Sequence, residues 1–189
     1  CTHRFVRIED SSYAVAVANS STYGADAAPI GDYVSSCGTM LRLSLLSAPL
    51  YPDPNTDQGK HEFTWSFIAD ANMDSVLSIA DFLNSPIIDK LPDVDPLFTI
   101  HRNSGLIALD WVKLADDCSG DIILRIYEPC GGCASGQIKL NKILRAASIE
   151  EVDLMEMPVL HGMPIALHKN NDELNIELRP FQLCSLRIH

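Results

Sequence analysis

The segment Ala48-Pro-Leu-Tyr-Pro-Asp-Pro-Asn-Thr-Asp-Gln-Gly-Lys-His-Glu-Phe-Thr-Trp65 lies between two strand-like runs and is too decorated to be a plain connector. Prolines, a glycine, a histidine and the carboxylates of Asp53 and Asp57 crowd into one loop, and a long ordered loop on a sheet scaffold is where binding groups collect. Two acids facing each other across such a loop could sit at the separation that glycoside hydrolysis uses. The ordinary reading is that they are solvated loop acids.

Other chemistry is sparse. Cys130-Gly-Gly-Cys133 invites a metal or redox reading, yet zinc needs four ligands and no second CxxC or HxxxH partner stands at the usual spacing. A thioredoxin-like use needs a βαβ setting, and this motif falls between two strands, so a hairpin turn is the preferred reading. The histidines at positions 3, 61, 101, 161, 168 and 189 are scattered singly. There is no GxSxG elbow, no P-loop and no GxGxxG. Asn19-Ser-Ser21 matches a glycosylation sequon, which matters only in a secretory chain.

Composition narrows the classes. The 189 residues are 47% hydrophobic, enough for a real core and against disorder. A net charge of -11 without a Lys/Arg cluster argues against nucleic acid and against an anionic membrane surface. No apolar run approaches the roughly 20 residues that span a bilayer. The six cysteines are too dispersed for a disulfide framework and fit unbridged, mostly buried thiols. A chain that starts at Cys1 without Met reads as a piece of a longer protein.

The elements that must position these groups are mostly strands. Tyr13, Val15 and Val17 alternate with alanines; Met40 to Leu46 presents Leu41, Leu43 and Leu45; Glu62 to Ile68 alternates strictly, with Phe63, Trp65 and Phe67 on one face. Trp65 and Trp111, set in alternating apolar runs, are expected in the core. Asn72 looks like an N-cap, and Met73, Val76, Leu77, Ala80 and Leu83 recur at helical spacing until Pro86, which predicts one short helix near 72–84. Ser85 to Pro96, with three prolines, reads as a linker and gives two domains, 1–92 and 93–189. Beyond it come strands only: Leu106 to Leu114, Asp121 to Glu128 with Ile122, Leu124 and Ile126 inward, Gln137 to Leu140, about Ala146 to Met155, Leu174 to Leu178, and Phe181 to Ile188. Arg179-Pro180 marks a bend or a crossing between sheets. The architecture is therefore all-β, an antiparallel β-sandwich.

Several blocks, in order, resemble the C-terminal part of the family 38 α-mannosidases, in particular the cytosolic and vacuolar class. They are Thr2-His-Arg-Phe with Tyr13-Ala-Val-Ala-Val-Ala-Asn19 and Tyr23-Gly24; Leu41-Arg-Leu-Ser-Leu-Leu46 running into Ala48-Pro and Pro52-Asp-Pro; Asp57-Gln-Gly-Lys-His-Glu-Phe63; Leu124-Arg-Ile-Tyr-Glu128 with Gly131 and Gly132; and Leu178-Arg-Pro-Phe181 with Leu186. Asn19-Ser-Ser-Thr, the stretch from Ala25 to Ser36, and Cys133 depart from the family pattern.

The resemblance implies the closing portion of a large supersandwich domain followed by a small terminal β-sandwich. It implies a non-catalytic part of a retaining enzyme that removes terminal, non-reducing α-D-mannose from oligosaccharides. The nucleophile, the acid/base carboxylate and a zinc ion belong to an N-terminal catalytic domain, so this segment is expected to hold no catalytic residue, metal or cofactor of its own. Partners are then that catalytic domain and a mannose-containing oligosaccharide, with no nucleic acid or membrane. Unpaired strand edges and an uncovered apolar patch make homo-oligomer formation a further expectation. The compartment is cytoplasmic or vacuolar/lysosomal. If any residues here touch substrate, they are Asp57, Gln58, Gly59 and His61, with Tyr23 beside them: Asp and Gln can bind vicinal hydroxyls, Gly59 admits close backbone, and Tyr can stack on a pyranose. The competing reading is that this loop docks on the catalytic domain or covers a sheet edge. A stand-alone carbohydrate-binding or protein-interaction β module is the alternative function.

Overall fold

A computed structural model describes residues 1–31, 38–85, 95–144, 148–159, 168–170 and 173–189. The chain divides into two units, Cys1–Asp89 and Lys90–His189. The boundary expected near Pro92, like Cys37 and His161, lies outside the described residues.

In the first unit, β1 (Phe5–Glu9), β2 (Ala14–Asn19) and β5 (Trp65–Ala69) form a three-stranded antiparallel sheet in the order β1-β2-β5. Asp10 shapes the β1–β2 turn: its Oδ1 accepts the amides of Ser12 at 2.7 Å and Tyr13 at 2.9 Å. A separate hairpin pairs β3 (Gly24–Pro29) with β4 (Thr39–Ser44) and carries a cross-strand Asp26–Arg42 ion pair. Helix α1 (Met73–Asn84) begins where expected, with the Asn72 side chain accepting the Ser75 amide at 2.9 Å.

The helix packs on alanines. Ala14, Ala16 and Ala18 of β2 are buried with Ile68 against Val76 and Ala80. Side chains this small let a helix lie close on the sheet, and Asn84 fixes its end by donating from Nδ2 to the Asn19 carbonyl at 2.9 Å. An Arg4–Asp81 ion pair joins the same helix to the chain entering β1.

The other face of that sheet corrects one expectation. Register sets Val17 opposite Val6 and Phe67, so Val6, Val17 and Phe67 share the face turned away from α1. Trp65 lies on the same face of β5, and Trp65 and Phe67 are 55% and 60% exposed. Alternation assigned the aromatics to one face correctly but took that face for the core. The helix instead claims the small-residue face, because alanines leave room for it and large aromatics do not.

The second unit has two four-stranded antiparallel sheets. One is ordered β10 (Ile149–Val152), β13 (Leu183–Ile188), β8 (Ile122–Tyr127), β7 (Ala108–Leu114); the other is β11 (His168–Asn170), β12 (Glu173–Leu178), β9 (Ala134–Leu140), β6 (Phe98–Ser104). Leu124, Ile126, Cys184, Leu186 and Ile188 from the first meet Ile138, Leu140, Leu174, Ile176 and Leu178 from the second in one core. Alternation decides this: each strand sends every second side chain inward. The chain passes from one sheet to the other at Arg179-Pro180, as that dipeptide foretold.

Other expectations need amending. Cys130 to Cys133 is not a hairpin turn, because β8 and β9 belong to different sheets; it is a crossover. β1, β3, β6 and β11 fall outside the strands expected above: β1 and β6 carry charged or polar residues between their apolar ones, β3 is mostly alanine with Gly24 and Pro29, and β11 is three residues long. Trp111 is 58% exposed on edge strand β7, outside the core. Cys1, Cys118, Cys130 and Cys133 are exposed and only Cys184 is buried among the described cysteines, since the exposed ones fall in loops or at the terminus.

Candidate functional site

The loop from β4 to β5, residues 45–64, is built by its own turns. The Asp53 Oδ1 accepts the Asn55 amide at 2.9 Å, and the Asp53 carbonyl accepts the Thr56 amide at 3.1 Å and hydroxyl at 2.7 Å. Asp57 sits in the left-handed region, with φ of 58°, and its Oδ2 accepts the Ala48 amide at 3.3 Å across the neck of the loop. Gln58 donates from Nε2 to the Pro54 carbonyl at 3.2 Å, and the His61 ring nitrogen Nε2 lies 2.9 Å from the Asp57 carbonyl. His61 stacks on Phe63 with ring centroids 6.2 Å apart. The Tyr51–Pro52 peptide is cis.

These contacts give each residue a local duty. Asp53 and Asp57 organise separate turns, so a catalytic carboxylate pair receives no geometric support. Asp57, Gln58 and His61 are all exposed to solvent, but their side chains turn to different partners: Asp57 to the Ala48 amide, Gln58 to the Pro54 carbonyl and His61 to the Asp57 carbonyl. Gly59 has φ of +126° and open space where a Cβ would stand. Its glycine answers that backbone conformation, and the open space beside it leaves the backbone accessible. Tyr23 is exposed and stacks on His3 at 6.0 Å, while its carbonyl accepts the Thr2 amide at 2.7 Å.

The aromatics that matter most to this surface are those misassigned to the core. Trp65 and Phe67 leave the loop directly and stand open on one sheet face. The signal available in sequence was the run of alanines in β2, which marks the side the helix takes. The Asn19 side chain, by contrast, is buried, 3% exposed, and is no acceptor for a glycan in this fold.

Charged groups of the second unit are bound to one another. The Glu128 carboxylate, 2% exposed, accepts the amides of Gly131 at 2.7 Å, Cys130 at 2.9 Å and Phe181 at 3.0 Å. Burial pushes this carboxyl up, but those amides together with that of Gly132 outweigh it and hold its pKa below the usual value. Lys113 bridges Asp116 at 2.5 Å and the buried Glu156 at 2.6 Å, and these acids, Asp116 first, raise its pKa. Arg187 pairs with Asp117 and Asp121, each at 2.6 Å, and its hydrogen bonds hold both carboxyls below the ordinary range. His189 stands between Asp121 at 3.1 Å and Glu150 at 3.0 Å. The Cys184 thiol is pushed up to about 12 by burial and is no nucleophile.

Among the described residues no group of three or more His, Cys, Asp or Glu side chains could hold a metal ion. These residues do not fit the zinc of the resemblance, and no metal step is assigned to them. Among the described residues no helix is long and apolar enough to cross a membrane.

Comparison with known proteins agrees with this arrangement. Residues 1–55 match the glycosyl hydrolases family 38 C-terminal domain, and residues 106–186 match the glycosyl hydrolases family 38 C-terminal beta sandwich domain. An alpha-mannosidase of Saccharomyces cerevisiae is 28% identical over all of this chain and 18% of its own length. Alpha-mannosidase 2C1 of Homo sapiens is 29% identical over 97% of the chain and 17% of its own, and alpha-mannosidase G of Dictyostelium discoideum 26% identical over 98% and 17%. The chain thus spans less than a fifth of the length of these relatives. With both models matched in order and relatives aligned along the whole chain, it belongs to glycosyl hydrolase family 38, as the C-terminal region of that family.

Proposed function

We propose that this chain serves as the non-catalytic C-terminal region of a retaining α-mannosidase that releases terminal α-D-mannose from oligosaccharides. The observation that carries the reading is the ordered match of both C-terminal family models to a chain in which Asp53 and Asp57 shape a loop and Glu156 is held in an ion pair. The nucleophile, the acid/base group and zinc would belong to a catalytic domain of the same polypeptide. Residues 1–92 would close the larger β domain and residues 93–189 would form the terminal sandwich, in a cytoplasmic or vacuolar/lysosomal enzyme.

Within that reading, Asp57, Gln58 and His61 form a rim that can present a carboxylate, an amide and an imidazole to sugar hydroxyls, with Tyr23 as a stacking surface. The test is Asp57→Ala in a polypeptide that carries the catalytic domain. Turnover falls about tenfold, as the loss of one charged hydrogen-bond partner worth ~1.5 kcal/mol requires, while the thermal midpoint stays put. Unchanged turnover removes the rim and leaves the loop as a docking element.

A second reading is favoured by the open pair Trp65 and Phe67: a carbohydrate-binding or protein-interaction module acting without catalysis. Quenching of Trp65 fluorescence by mannose oligosaccharides, lost in Phe67→Ala, supports it; no change at millimolar sugar dismisses the carbohydrate form. Self-association through open strand edges would appear as concentration-dependent mass in solution.

A further inference from the structure

The crossover from β8 to β9 carries two cysteines with a specific local geometry. The amides of Cys130 and Gly131 point at the two oxygens of one carboxylate, at 2.9 and 2.7 Å, and Gly132 adds a third amide to the same group. Successive amides aimed at one point curl the chain around it. Gly131 supplies the left-handed φ of +78° that the curl requires, and the Phe181 ring lies against it where a Cβ would stand. Both flanking cysteines are exposed. Residues 130–132 bend continuously, and the two glycines between the cysteines carry no side chain to hold the thiols apart.

We propose that Cys130 and Cys133 are a thiol–disulfide exchange site that takes small-molecule disulfides such as oxidised glutathione. One cysteine thiolate attacks a sulfur of the small disulfide, forming a mixed disulfide and expelling a small thiolate. The other cysteine thiolate attacks the protein-bound sulfur of that mixed disulfide, forming the Cys130–Cys133 bond and expelling the second small thiolate. The protein loses two thiol protons and two electrons; the small disulfide gains both as two thiols. The Glu128 carboxylate pre-shapes the ring, so closure orders little further chain. Cys184 is buried in the core and does not compete.

The experiment equilibrates the whole chain in glutathione buffers of rising oxidised fraction, quenches by alkylation and maps the peptides by mass. Expected is a 130–133 peptide that loses both alkyl groups and two hydrogens. It should do so at roughly tenfold lower oxidised glutathione than in urea-unfolded chain. Cys130→Ser then leaves Cys133 with a single glutathione adduct. Full alkylation of both residues under excess oxidised glutathione, a separate adduct on each, a bridge to another cysteine, or equal closure in urea overturns the proposal.

Discussion

The two units handle their apolar residues in opposite ways. In the second, two sheets face each other and a dozen buried residues from both form one core. In the first, helix α1 covers one face of a three-stranded sheet, and the core there consists of five alanines with Ile68 and Val76. The first therefore gains less from burial per residue and leaves Trp65 and Phe67 in water. A sandwich that closes on itself needs no neighbour for stability, whereas a half-covered sheet presents a surface suited to one. This contrast is what the proposed arrangement requires, with the first part joining a larger β domain and the second forming a sandwich of its own.

Mutations can break the comparison, and the largest effects belong to the closed unit. Ile126→Ala leaves a cavity between two packed sheets and should cost about 4 kcal/mol, read as a drop in the denaturant midpoint of the second unit. Glu128→Ala strips the buried acceptor that the amides of Gly131 and Phe181 share at 2.7 and 3.0 Å, at about 3 kcal/mol by the same measurement. Its pH signature is separate. The Glu128 pKa is lowered in the folded state, so the unfolded chain takes up the proton first as pH falls. The contribution is complete above the ordinary carboxyl value of 4.5 and is lost as pH drops through the folded value. Thermal melts from pH 7 to 3 should show a second-unit midpoint that falls in this window, and Glu128→Gln should flatten the fall.

In the first unit the two faces of one sheet should answer differently. Ala16→Leu crowds the seat of α1 and should cost about 2 kcal/mol, followed by helical ellipticity on denaturation. Phe67→Ala on the open face should stay within about 0.5 kcal/mol, because a ring 60% exposed buries little apolar area. If Phe67→Ala proved the costlier of the two, the uncovered face would be a core after all.

Much of this was legible beforehand, for reasons that can be named. The helix followed from Asn72, the apolar spacing of Val76 and Ala80, and Pro86, all local signals. The β8 strand and the Pro180 crossing were likewise written in alternation and in a missing amide. The burial of Trp65 and Trp111 was misread because alternation gives faces but not which face is covered; that depends on where α1 lands. The crossover at Cys130 looked like a hairpin because nothing local distinguishes a turn within a sheet from one between sheets. Glu128 went unnoticed as an organiser since its partner amide on Phe181 is distant in sequence. Of the candidate rim, His61 meets the Asp57 carbonyl and Gln58 the Pro54 carbonyl, while Tyr23 finds its ring partner in His3.

The proposed role, support of an α-mannosidase without performing its chemistry, is decided by hydrolysis of a chromogenic α-mannoside, assayed with the chain alone and then with the chain combined with the catalytic part of the enzyme. No chromophore should be released by the chain alone, and release should follow on combination. Release by the chain alone would contradict it and return attention to the carboxylates of Asp53 and Asp57.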